Sequence, residues 1–297
     1  MIVDTPTLKA HIEDRLAALD EAVRASTTVC AVVEMGLLSE DARTALWQAF
    51  QGHPWFQQAA FSALRPLGPW LFVADIETLL DDLYPLAEGG FHGLLMTHQP
   101  AADEAEKLGA FCVVEDAAGE EQLLRYYAPH VLPVVHRFTD KPWYHGLFGS
   151  LSHWWLPGLD GWLDYAGTWS PTSDSPDAGA DARILLTPDL LQALGGDPTV
   201  HRILGELERS SPSLFQVDCP GIRLAIVDQA IHQARQAGLE SLQDLSVYTA
   251  YCVAHGMAVT RRPDFLRAVD QSRSLARPLA ETLQATGVTG NNETDHE

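Results

Sequence analysis

Apolar positions early in the chain recur three and four residues apart, at Leu8, Ile12, Leu16, Leu19 and Val23. That spacing lines one stripe of a helix and predicts a helix over 7–25. The pattern then changes to an apolar, β-branched run at Thr27–Val33, which predicts a strand. Ser39 is placed to cap a second helix that buries Leu46 and Phe50. Residues 52–69, rich in Gly, Pro and aromatics, predict an irregular connection. Trp70–Ala74 predicts a strand, and Asp75 caps a helix carrying Ile76, Leu79, Leu80 and Leu83. A strand at Gly93–Thr97 precedes an acidic helix at 101–108. Phe111–Glu115 and Gln122–Tyr127 then form a predicted hairpin joined through Asp116-Ala117-Ala118-Gly119.

The stretch from Leu123 to Leu132 is the sharpest local signal. Arg125, Tyr126 and Tyr127 end a predicted strand, and Pro129 is placed to open a helix whose first turn needs no N–H there. Val131, Leu132, Val134, Val135 and Phe138 follow with helical spacing. Beyond them comes an aromatic-dense region with Trp143, Tyr144, Phe148, Trp154, Trp155, Trp162 and Trp169, in which the pattern assigns no elements. Residues 171–180 have the composition of an exposed linker.

The remainder reads as helical. Pro220–Ala237 carries Ile222, Ile226, Ala230 and Ala234 on one face and stops at Gly238, a left-handed cap. Ser241 and Asp244 make a capping box for a helix bearing Leu242, Leu245, Tyr248, Cys252 and Val253, which ends at Gly256. The short turn between these two helices implies an antiparallel hairpin. The fold class expected is therefore α/β: an N-terminal lobe (1–170) with a mixed sheet flanked by helices, and a mainly helical C-terminal lobe (183–286). A linker at 171–182 separates them, and a disordered polar tail covers 287–297.

Charge narrows the partner class. The 297 residues hold 40 Asp and Glu against 19 Lys and Arg, a formal charge of −21. That field opposes phosphate backbones and anionic lipid, so neither nucleic acid nor membrane insertion is expected. Residues 1–120 carry 19 acidic and 6 basic side chains, whereas 261–277 carry five arginines against Asp264 and Asp270. Cys30, Cys112, Cys219 and Cys252 show no paired spacing for zinc or dithiol chemistry. The first residues have neither a cationic region nor a long apolar block, which predicts a cytoplasmic protein.

No residue set suggests catalysis. His145 and His153 match no metal-site spacing, and Gly-x-Ser-x-Gly and His-Glu-x-x-His do not occur. Glu88-Gly89-Gly90-Phe91-His92-Gly93 lacks the Lys-Ser/Thr of a phosphate cradle and reads as a turn. No metal, cofactor or catalytic residue is expected. Trp143, Trp154 and Trp155 suit either a core or a partner surface, and Arg261, Arg262 and Arg267 are candidates for partner contact.

The Arg125-Tyr126-Tyr127-Ala128-Pro129-His130 element resembles the Arg-Phe-Tyr-Asp-Pro-Arg-like signature of the type VI secretion effector chaperones, or adaptors. Leu67–Val73, Gly93–Thr97, Phe111–Val114 and the hairpin through Gly238 to Gly256 are similar to other features of that family. Ala128 and His130 depart from its acidic and basic positions, so any contact built on that pair is lost or remade. The resemblance implies a cytosolic loading factor, not an enzyme, whose partners are a secreted effector, held through its N-terminal segment, and a VgrG-type spike. Within it, Arg125, Tyr126, Tyr127 and Pro129 serve structure or partner binding. Two other readings stay open. One is an acidic immunity protein that neutralises a toxin; the other is an enzyme with a pocket between the lobes near Arg125 and His145.

Overall fold

A computed structural model describes residues 5–116, 118–158, 161–170, 183–215, 217 and 220–287. The chain forms two compact units, one spanning 2–195 with 217–222, the other 196–216 with 223–297. The α/β class holds, with a sheet in the N-terminal half and helices in the C-terminal half.

The first unit is built on β1 (Thr28–Glu34), β2 (Gln51–Pro54), β3 (Pro69–Val73), β4 (Phe91–Thr97), β7 (Leu151–Pro157) and β8 (Trp162–Ala166). They lie in the order β2-β3-β1-β4-β7-β8. Every pairing among them is antiparallel, where the sequence suggested a mixed sheet. Helices do join β1 to β2 and β3 to β4, and the joined strands run in the same direction. In each case an oppositely running strand sits between them, so no parallel pair forms. A separate two-stranded hairpin pairs β5 (Val113–Glu115) with β6 (Glu121–Leu123).

β1 is central and buried from Val29 to Glu34, which explains its unbroken apolar run. Alternate residues feed two cores. Ala31, Val33, Phe72, Leu94 and Met96 pack with Leu8 and Ile12 of the helix Thr5–Ala17, Leu46 of Glu40–Ala49, and Leu79, Leu80 and Leu83. Cys30, Val32, Leu71, Leu95 and Trp154 pack on the other face with Leu108, Tyr126, Tyr127, Leu132 and Phe148.

The predicted helix over 7–25 is two helices, Thr5–Ala17 and Glu21–Ser26, parted before Asp20. The aromatic region resolves into the helix Pro142–Phe148, β7 and β8. Residues 183–195 fold with the first unit. Ile184, Leu186 and Leu190 enter its core, and the backbone beside Glu115 forms an isolated parallel bridge to Leu185. The expected linker at 171–182 and the tail beyond Gly287 lie outside the described residues.

In the helical unit, Ser241 caps Leu242–His255 by accepting from the Asp244 N–H at 3.0 Å. Asp244 in turn accepts from the Leu279 N–H at 2.7 Å, tying the helix Leu279–Ala285 to that cap. Gly238 takes the expected positive φ, 85°. Tyr248 and Phe265 meet edge to face at 5.2 Å in the core. No helix among the described residues is long and apolar enough to cross a membrane.

Candidate functional site

The 125–130 element is a turn, not the end of a strand. β6 stops at Leu123, the Ala128 N–H bonds to Arg125 O at 3.1 Å, and the following helix runs Leu132–His136 with Pro133, not Pro129, in its first turn. The cause is burial. Tyr126 and Tyr127 are consecutive, yet both are buried and both rings meet Trp55, at 6.0 and 5.1 Å. Strand geometry would send them to opposite faces; a turn brings them to one. Tyr126 Oη donates to Leu108 O at 2.9 Å, which satisfies the one polar atom that this ring carries into the core.

Arg125 reaches back to the end of β1. Its guanidinium pairs with the Glu34 carboxylate, and the buried Tyr127 side chain lies beside the pair. Glu34 continues the Cys30–Val32 register, so its side chain points to the face that this turn covers. His92 on β4 completes the group, with Nε2 3.4 Å from Glu34 Oε2 and its ring 5.4 Å from that of Tyr127. Burial raises the Glu34 carboxyl despite Arg125, and burial followed by Arg125 depresses His92 to about 3. Burial works to lower Arg125, but Glu34 and Tyr127 together outweigh it and the guanidinium stays firmly charged. A half-exposed cation on a nearly buried carboxylate, with a neutral buried imidazole beside it, thus clamps the turn to the sheet.

Glu34 and His92 were missed by the sequence reading. Glu34 could have been found as an acid in the core-facing register of an apolar strand; His92 sat in a segment read as a turn, and gave no such signal.

A second polar group lies between β4, β7 and the helix Ala101–Ala110. The buried Glu104 carboxylate accepts from Thr97 Oγ1 at 2.8 Å and Ser150 Oγ at 2.6 Å, and pairs with Lys107 at 2.7 Å. Nearby, His98 contacts Ser152 Oγ through Nε2, lies 2.9 Å from Thr27 Oγ1 through Nδ1, and stacks on Trp169 at 3.4 Å. A hydroxyl–imidazole–hydroxyl chain has the outline of a nucleophile and base. Burial depresses His98 to about 4, however, which makes the ring a weak base at neutral pH.

The other sequence candidates separate by burial. Trp143, Trp154 and Trp155 are all inside the sheet-bearing unit, so their rings fill core and present no surface. Arg261 and Arg267 are exposed in the helical unit, while Arg262 is held by Asp264 at 3.1 and 2.5 Å. His145 lies 3.2 Å from Thr168 Oγ1, and His153 meets Asp164 at 2.9 Å. Among the described residues no three His, Cys, Asp or Glu side chains are grouped to hold a metal ion. Cys30 and Cys112 are buried free thiols, and Cys252 is buried as well.

Residues 31–144 match a family model described as "Domain of unknown function (DUF4123)". The matched span runs from β1 to Tyr144 and so contains Glu34, His92 and the whole Arg125–Pro129 turn. No curated protein and no solved structure matches the chain.

Proposed function

We propose that this protein is a non-enzymatic, cytoplasmic adaptor that binds a type VI secretion effector and helps load it onto a VgrG-type spike. The observation that carries the reading is the Arg125–Pro129 turn. It resembles the signature of the effector chaperones, and it falls within the span matched to the domain family. The clamp made by Glu34, Tyr127 and His92 gives that turn a definite physical task. It fixes a polar loop and an aromatic cluster against the sheet, and a docking protein needs such a rigid frame to present a fixed surface. The Ala128 and His130 departures do not disturb this reading, because the partner of Arg125 is supplied by β1 and not by the residue before the proline. The acidic balance also fits a protein that receives a basic partner while staying soluble.

Co-purification with the tagged chain, from a strain that carries the secretion system, tests the proposal. The effector and the spike are expected together, and recovery of neither refutes it. Deleting the gene should stop delivery while the producer stays resistant to its siblings. Sensitivity of the deletion strain would instead establish the immunity-protein reading.

A further inference from the structure

Five large apolar side chains in the sheet-bearing unit, Leu37, Trp47, Leu64, Leu67 and Leu86, are between 38% and 45% exposed. They come from separate segments that meet at one end of the sheet, where β1 ends and β3 and β4 begin. Gly36 N–H donates to Leu67 O at 2.7 Å, which places Leu37 beside Leu67, and Leu67 N–H donates to Leu64 O at 3.0 Å. Trp70 Nε1 donates to Arg65 O at 2.9 Å, and the Trp70 ring lies 5.9 Å from that of Trp47. The helices that carry Trp47 and Leu86, Glu40–Ala49 and Tyr84–Ala87, touch each other; Leu37 also abuts the 3-10 turn Glu88–Gly90 that follows Leu86. These links make the segments that carry the five exposed side chains neighbours at this end of the sheet. Contiguous apolar patches of this kind on a folded unit mark interaction sites more often than chance exposure does.

We infer that this surface docks a cationic amphipathic segment of the effector, apolar side chains seated on Leu37, Leu64, Leu67, Leu86 and Trp47, with its Lys and Arg facing the surrounding carboxylates. The inference rests on the adaptor reading and names the surface and the chemistry of its partner. Charge decides the occupant. The unit holds 28 Asp and Glu against 10 Lys and Arg. On the elements that bear the patch and those adjoining them in the chain, Glu40, Asp41, Asp81, Asp82 and Glu88 are exposed. The nearby cations are already engaged: Arg43 donates to Leu38 O at 2.8 Å, Arg65 donates to Phe56 O and Gln57 O at 2.8 and 2.6 Å, Lys9 pairs with Glu77, and Arg125 pairs with Glu34. An acidic segment would be repelled by this rim, and a neutral one would gain nothing from it. A second copy of this unit would bring the same excess of negative charge to the contact.

The test uses the full chain and a fluorescent amphipathic Lys/Leu peptide, read by anisotropy, with a Lys/Ser peptide of equal charge as comparison. The Lys/Leu peptide should bind at least about tenfold more tightly than the Lys/Ser peptide, and its binding should weaken as salt shortens the Debye length. A Leu37→Ser/Leu67→Ser variant should lose about tenfold in affinity, as should Trp47→Gln on a different element, while Leu275→Ser in the helical unit changes nothing. Equal binding of both peptides, or unchanged binding by both patch variants, overturns the inference. So does a wild-type dimer that becomes monomeric in the variants, since the occupant would then be a second copy. Co-purification separates the two levels of the claim. A folded patch variant that still captures the effector refutes this surface and leaves the adaptor reading intact, whereas a wild-type chain that captures nothing refutes the adaptor reading itself.

Discussion

Replacing Arg125 by Met removes the cation from the clamp while keeping most of the side-chain volume. The cost follows from where the two partners sit. Removing one member of a fully buried ion pair costs about 3–5 kcal/mol, and a surface pair is worth less than about 1. The Glu34 side chain is 11% exposed and that of Arg125 47%, so the pair lies between these limits. A loss of about 2 kcal/mol is expected for Arg125→Met, about 1 for Glu34→Gln, and a coupling of about 1 in the double variant. Urea unfolding followed by tryptophan fluorescence is the right assay. All eight tryptophans (47, 55, 70, 143, 154, 155, 162 and 169) belong to the sheet-bearing unit, so the signal reports that unit alone. The pH dependence has a definite sign. Burial already raises the Glu34 carboxyl in the native state, and loss of the guanidinium raises it further. A raised carboxyl favours the folded state as pH falls, so the deficit of Arg125→Met should shrink toward the carboxylate range. Strictly additive single variants, or a deficit independent of pH, would refute the clamp. An Arg125→Met protein that keeps its stability but releases the effector would assign Arg125 to the partner interface instead.

Two further predictions concern the same unit. His92 is neutral when folded down to about pH 3, and the unfolded chain protonates it near its ordinary value. Stability should therefore fall with pH in that window, by about 2 kcal/mol between pH 7 and pH 5 from this group, and His92→Gln should abolish that part of the loss in urea titrations at the two pH values. A Cβ on Gly109 would lie 1.9 Å from Trp55 O, backbone that cannot yield as a side chain would. Gly109→Ala should cost roughly 3 kcal/mol and lower the melting temperature of the tryptophan-reported transition; an unchanged transition would show that the two segments do not approach so closely.

How much of this was legible depended on whether a residue's neighbours lay near in sequence. β1, β3 and β4 announced themselves because the centre of the sheet is apolar on both faces. The helix at Leu242–His255 did so because Ser241 and Asp244 are local capping residues. β2 did not, since Gln51-Gly52-His53-Pro54 is an edge strand with no apolar alternation. β7 and β8 were hidden by aromatics that fit a core in any backbone conformation. The 125–130 segment was read as the end of a strand because its residues favour strands, and only the long-range demand that two adjacent tyrosines meet one tryptophan bends it. Likewise, the arrangement of strands defeated the reading of a mixed sheet. Which strand fills the gap between two others is decided by tertiary packing and leaves no trace in the pattern of any one segment. The Glu34–Arg125 pair spans 91 positions, so spacing alone could not have revealed it.

The way residues 183–195 rejoin the sheet-bearing unit bears on how the chain could be cut. Ile184, Leu186 and Leu190 are anchored in its core, and Leu186 N–H donates to Glu115 O at 2.8 Å. A protease that severed the backbone between 171 and 182 would leave the downstream fragment still gripped by the upstream one. Nicked protein would then run as two bands under denaturing conditions and as a single species in a native column, and the same site would serve to express the chain as complementing halves.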